Sequence, residues 1–281
     1  MSDDGVTNRL TVVEPATNSN TIVLCVPAMG VPANKYDTLC CALTDAGLSA
    51  ATMDLRGLGA SSVRASKDTD FSYAEIVAYD LPCAISALHE HFSQRRIVLL
   101  GHSLGGQLSA LYLSQNQDLV AGLILTASCS VYYRGWRMPK SLGVLLFSQV
   151  AVIASKCCGY FPGHRFKFAG REARGVMRDW AHNALTGRYA STNINYETDL
   201  AQVSLPVLAI NFDDDKFAPV RATRYLLGKL STLCDVQMLR LSGTDLNQDR
   251  ADHFNWMKHP TAVSRAVEKW LPQHLSSGKG N

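Results

Sequence analysis

Ser103 is the residue best placed by its neighbours to do chemistry. It lies between Gly101 and Gly105 in GHSLGG, directly after the apolar run RRIVLL. A GxSxG motif at a strand-to-helix junction marks a nucleophile held on a sharp turn: side chains at 101 or 105 would collide with strand and helix, and the serine Oγ projects above the sheet. Chance supplies one such motif in a chain of this length about one time in ten. The buried strand before it and the helix after it therefore carry the inference. That helix, starting at Leu104, also offers free backbone N–H groups toward a developing oxyanion. The predicted chemistry is nucleophilic attack of Ser103 on an acyl carbonyl.

A serine so placed needs a sheet beneath it. Four short runs rich in Val, Ile and Leu qualify as strands buried on both faces: Thr21 to Val26, Ile97 to Leu100, Leu123 to Ala127, and Val207 to Ile210. Helical patterns alternate with them. Tyr36, Leu39, Cys40 and Leu43 recur at helical spacing and end at Gly47, a plausible C′ glycine, and Leu104, Leu108, Leu111 and Tyr112 repeat the pattern. Val263, Ala266, Val267 and Trp270 do so near the C-terminus. Such alternation predicts an α/β fold, a doubly wound and mostly parallel sheet flanked by helices, with its site at the carboxyl ends of the strands.

The alternation lapses over residues 131–193, a helix-like and aromatic stretch holding Tyr132, Trp136, Tyr160, Phe161 and Trp180. An inserted helical cap is expected there, with residues 1–130 and 194–281 as the core. Its run SLGVLLFSQVAVIAS, residues 141–155, is short for a membrane span and contains Ser and Gln. The simplest expectation is an amphipathic cap helix packed on the core, which could also line an acyl pocket. It lacks the Lys-rich polar face of surface-bound helices.

These features resemble the α/β-hydrolase superfamily, and within it the cap-bearing esterases, lipases and serine-aminopeptidase-like hydrolases. VPAMG, residues 26–30, is similar to the family's oxyanion loop, with Pro27 and Ala28 where many members carry His and Gly; Met29 would then supply a backbone N–H alongside Leu104. DLRGLGASS, Asp54 to Ser62, resembles a family turn whose expected role is structural, Asp54 and Arg56 pairing or capping nearby backbone.

The resemblance also implies the triad order Ser, acid, His. NFDDDKFAP follows the apolar run LPVLAI, and Asp215, four residues before Pro219, best matches the family's acid; Asp213 and Asp214 stay in competition. Of eight histidines, His253 in ADHFNW matches the family's His followed by an aromatic, with His259 as the alternative. His102 reads as a packing residue.

Composition narrows the function classes. A net charge of +3 with Lys and Arg spread along the chain argues against nucleic acid as a partner. The opening MSDDGVTNRL lacks a secretory signal's basic and apolar regions, and eight cysteines without CxxC spacing read as reduced thiols, so a cytoplasmic protein is expected. No transmembrane segment, metal or cofactor is expected, and a homodimer is compatible with the sequence. The expected activity is cleavage of a carboxylic ester or thioester with an apolar acyl or alcohol part, through an acyl-enzyme on Ser103. An acyltransferase or perhydrolase would use the same residues, and a catalytically silent binding protein would usually have lost one of them. Dehalogenases of this fold carry Asp at the nucleophile position, which Ser103 argues against.

Overall fold

The computed structural model describes residues 1–192 and 194–275; Asn193, the last residue of the expected cap, and residues 276–281 lie outside them. Seven strands form the main sheet: β1 (Leu10–Val13), β2 (Thr21–Val26), β3 (Ser49–Met53), β4 (Arg96–His102), β5 (Val120–Thr126), β6 (Val207–Phe212) and β7 (Val236–Leu241). Their spatial order is β1-β3-β2-β4-β5-β6-β7, with β1 antiparallel to β3 and every other neighbouring pair parallel. This is the α/β-hydrolase fold.

Side-chain alternation splits the apolar runs between two layers. Ile22, Leu24, Val26, Leu99, Leu123 and Leu125 join one core cluster; Val23, Cys25, Val98, Leu100, Ile124 and Ile210 join the other. The first cluster lies under α2 (Leu81–His91) and α3 (Leu104–Gln115), the second under α1 (Asp37–Asp45) and α7 (Thr261–His274). Every residue of β2 and β6 is buried, which is why both read as unbroken apolar runs. All eight cysteines are free.

The turn after β3 is structural in the way its residues suggest. Asp54 accepts from Ala33 N–H and Ala60 N–H, each at 2.9 Å, and Arg56 pairs with buried Asp80 at 2.8 Å and with Asp4 at 2.8 Å.

Between β5 and β6 the chain leaves the sheet and builds α4 (Lys140–Cys158) against α5 (Arg174–Thr186); α6 (Val220–Leu227) follows β6. The run 141–155 belongs to a 19-residue helix, among the described residues the one long and apolar enough by length and composition to cross a membrane. Its apolar residues do not all pack inward. Val144 and Phe147 lie against the core, but the fully buried positions are Ser141, Ser148, Ala151 and Ser155. Ser148 and Ser155 satisfy their hydroxyls on the Leu145 and Val152 carbonyls, 2.7 and 2.8 Å away, so small polar side chains serve as the close-packing face.

Candidate active site

Ser103 follows β4 and is the N-cap of α3, with φ 53° and ψ −116°, a conformation L-residues seldom adopt. Its neighbours explain how the turn persists. A Cβ on Gly105 would sit 2.2 Å from the Val26 carbonyl oxygen, and one on Gly101 would sit 2.3 Å from Gly106 N. Ser103 N–H donates to Thr126 O at 3.1 Å, and Ser128 Oγ donates to Ser103 O at 2.7 Å. Strand, helix and serine are thus locked together, with Oγ free on the cavity side.

Three of the residues singled out by sequence converge here. His253 Nε2 lies 3.0 Å from Ser103 Oγ, and His253 Nδ1 lies 2.8 Å from Asp215 Oδ2. The other carboxylate oxygen of Asp215 accepts from Phe217 N–H at 2.7 Å and Ala218 N–H at 2.9 Å. Because a carboxylate only accepts, it holds the proton of His253 on Nδ1 and leaves Nε2 with a lone pair toward the serine. Asp215 and His253 are both buried.

The competing residues have other partners. Asp214 exchanges bonds with Ala251, its backbone N–H donating to Ala251 O at 2.8 Å and its Oδ2 accepting from Ala251 N–H at 3.0 Å, while Asp213 pairs with Arg240. His259 lines a separate groove of about 910 Å³ beside α1 and α7, which does not contain Ser103.

Met29 and Leu104 line the same cavity as Ser103 and His253. Among the described residues neither of their backbone N–H groups donates to a protein acceptor, which leaves both available to an oxyanion.

His102 has a larger part than packing. It is wholly buried, with Nδ1 at 2.8 Å from Tyr36 Oη and Nε2 at 2.9 Å from the His253 carbonyl oxygen. A carbonyl must accept, so Nε2 carries the proton and Nδ1 accepts from the tyrosine, whose oxygen in turn accepts from Ala28 N–H at 2.9 Å. Burial, reinforced by nearby His253, pushes the imidazole well below its usual range, consistent with this neutral tautomer. A polar residue wedged between Gly101 and the nucleophile at a buried strand end was the available sequence signal.

The cavity over Ser103 has a volume of about 470 Å³, in the range of small-molecule sites. Trp136, Phe147, Phe168, Trp180, Phe217 and Phe254 furnish its aromatic walls. Its charged lining residues among those described are Lys140, Lys167 and Lys216; it has no carboxylate. The lysines come from three separate segments, so no local motif announces them.

Comparison with known proteins bears on the family and the fold. The family model described as serine aminopeptidase, S33, matches residues 17–159, half of the chain. A curated non-heme haloperoxidase of Rhodococcus erythropolis is 24% identical over 153 residues, covering 48% of this chain and 56% of that protein. The chain therefore spans little more than half the length of that curated relative. Among solved structures it is similar to Est1E of Butyrivibrio proteoclasticus with ferulic acid bound (14% identity, 99% and 100% of the two chains, TM-score 0.64). It is also similar to a soluble variant of the Saccharomyces cerevisiae monoglyceride lipase (14% identity, 98% and 94%, TM-score 0.67). At such identities the likeness establishes the fold.

Proposed function

The chain belongs to the serine aminopeptidase S33 family of α/β-hydrolases, and we propose that it cleaves a carboxylic ester or thioester with an apolar acyl or alcohol part through an acyl-enzyme on Ser103. His253 Nε2 takes the Ser103 proton as Oγ attacks the acyl carbonyl, and the N–H groups of Met29 and Leu104 hold the oxyanion. Asp215 stabilises the imidazolium, which then protonates the departing alcohol or thiol. Water, activated by the same imidazole, releases the acid and restores the serine. Each step balances without a cofactor.

The observation that favours an ester over an aminopeptidase substrate is the charge of the cavity. An aminopeptidase must hold a substrate ammonium group, and a buried ammonium needs a carboxylate partner. The described lining offers three lysines and no carboxylate. The aromatic walls instead suit a hydrocarbon chain.

The test compares p-nitrophenyl esters from acetyl to palmitoyl with aminoacyl p-nitroanilides. Ester turnover with little amide turnover is expected; preference for a free N-terminal aminoacyl anilide would overturn the reading. The resemblance to a haloperoxidase also motivates one added arm, with hydrogen peroxide present. Peroxyacid forming faster than the hydrolysed acid would move the assignment to a perhydrolase on the same acyl-enzyme.

A further inference from the structure

We propose that the cap is a membrane-docking surface on which α4 seats an apolar ridge in an anionic phospholipid bilayer. The ridge consists of Leu142, Leu146, Val150 and Ile153, which are 46%, 57%, 48% and 62% exposed. At 100° per residue they fall on one side of the helix, and they extend over about 16 Å of its length. The opposite side is the serine and alanine face packed inward. The helix is thus inverted relative to a soluble surface helix: its large aliphatic side chains face out and its small polar ones face in. Met138, 70% exposed, continues the apolar surface ahead of the helix.

Charge selects the occupant. Residues 131–193 carry ten Lys and Arg against two acidic residues, Glu172 and Asp179, so the cap is net +8 while the remainder of the chain is net −5. Both acidic residues are buried. Arg137 and Lys140 at the start of α4, Lys156 in its last turn, and Arg165 and Lys167 in the segment that follows it are exposed, and among the described residues none lies within 4.0 Å of a carboxylate.

Between Lys140 and Lys156 α4 carries no cation, and the basic residues sit at its ends and in the neighbouring cap segments. An apolar ridge on a strongly basic cap matches the depth structure of an anionic bilayer, with acyl chains below a layer of phosphates. It does not match the cap of a second copy of this chain, because two caps of this charge repel.

The other side of the same helix lines the cavity through Gly143, Val144 and Phe147. Docking by the ridge would bring the cavity next to the bilayer surface, so that a lipid ester could pass from membrane to Ser103 without crossing water. This consequence for substrate supply rests on the ester hydrolase reading; the docking itself does not.

The test uses the full-length Ser103→Ala protein, which binds without turnover, sedimented with phosphatidylcholine vesicles with or without phosphatidylglycerol. We expect binding at least about tenfold stronger to the anionic vesicles, weakened by salt. The pair Leu146→Ser and Ile153→Ser should cut binding by about tenfold or more. In the Ser103 background that pair should leave hydrolysis of p-nitrophenyl acetate unchanged, which separates loss of docking from loss of fold. Lys156→Gln with Arg165→Gln should flatten the preference for phosphatidylglycerol. Equal binding to both vesicles, undiminished binding by the ridge variant, or ridge-dependent self-association without vesicle binding would each overturn the proposal.

Discussion

His102 Nε2 donates to the carbonyl oxygen of His253 at 2.9 Å, so the residue before Ser103 holds the backbone of His253. Through Tyr36 the same imidazole is linked to Ala28 N–H, next to Met29. One buried chain of hydrogen bonds therefore ties together the loop of residues 26–30, the Ser103 turn and the His253 loop. Trp256 Nε1 also donates to the His253 carbonyl, at 3.0 Å, fixing the loop from a second direction.

From this chain follows a kinetic signature for His102→Phe and Tyr36→Phe. Each leaves a buried polar group unpaired, a cost of about 1–3 kcal/mol in stability. Small displacements of the base or of the oxyanion donors act on the chemical step, so kcat should fall by about 10- to 100-fold while KM changes little. Steady-state kinetics on p-nitrophenyl butyrate, well below the melting temperature, separate this positioning role from simple destabilisation, which leaves kcat intact.

Gly105→Ala should injure both stability and catalysis. Its Cβ would meet the Val26 and Pro27 carbonyl oxygens at 2.2 and 2.6 Å, at the strand end from which Ala28 and Met29 depart. Overpacking of this kind costs about 1–3 kcal/mol, a fall of roughly 2–12 °C in melting temperature for a domain of this size. Calorimetry and kcat/KM on the same preparation test the pair of effects.

How far the sequence discloses this arrangement depends on how local each signal is. Ser103 is legible because its turn demands glycines at fixed offsets, and β2 and β6 because strands buried on both faces must be apolar throughout. His253 and Asp215 are legible as candidates through resemblance, but the register among Asp213, Asp214 and Asp215 is decided by partners remote in sequence: Arg240, Ala251 and His253. Strand β3, SAATM, is short of large apolar side chains and has no strong periodic signal. The outward ridge of α4 is illegible for the opposite reason, since a helix apolar on most sides does not say which side faces water. The three cavity lysines and the bond from His102 to the His253 carbonyl depend on tertiary contacts alone.

Glu172 gives a pH-dependent prediction. Its buried carboxyl accepts from Gly170 N–H at 3.0 Å, and burial pushes its pKa up to about 7. The folded state therefore prefers the protonated form. That preference stabilises the fold fully below the ordinary carboxylate range and is lost as pH rises toward 7, at about 1.4 kcal/mol per pH unit across the window. Glu172→Gln keeps an acceptor for Gly170 without the charge. Its melting temperature should exceed wild type at pH 8 and converge with it near pH 4.5. A difference that does not vary with pH contradicts the assignment.

Cavity shape sets a chain-length prediction. Val144 lines the cavity from α4, so Val144→Trp should fill space that a long acyl chain would occupy. Turnover of palmitoyl relative to acetyl p-nitrophenyl ester should fall by about tenfold or more. An unchanged ratio would place the acyl chain elsewhere.

Active-site labelling reads out directly whether Ser103 forms the acyl-enzyme. Wild type treated with a fluorophosphonate and analysed by intact and peptide mass spectrometry should gain one adduct, on the peptide containing Ser103, with ester turnover falling in step. Ser103→Ala should take up no label and lose turnover while remaining folded. Labelling at another residue, or ester hydrolysis undiminished in Ser103→Ala, would contradict the account.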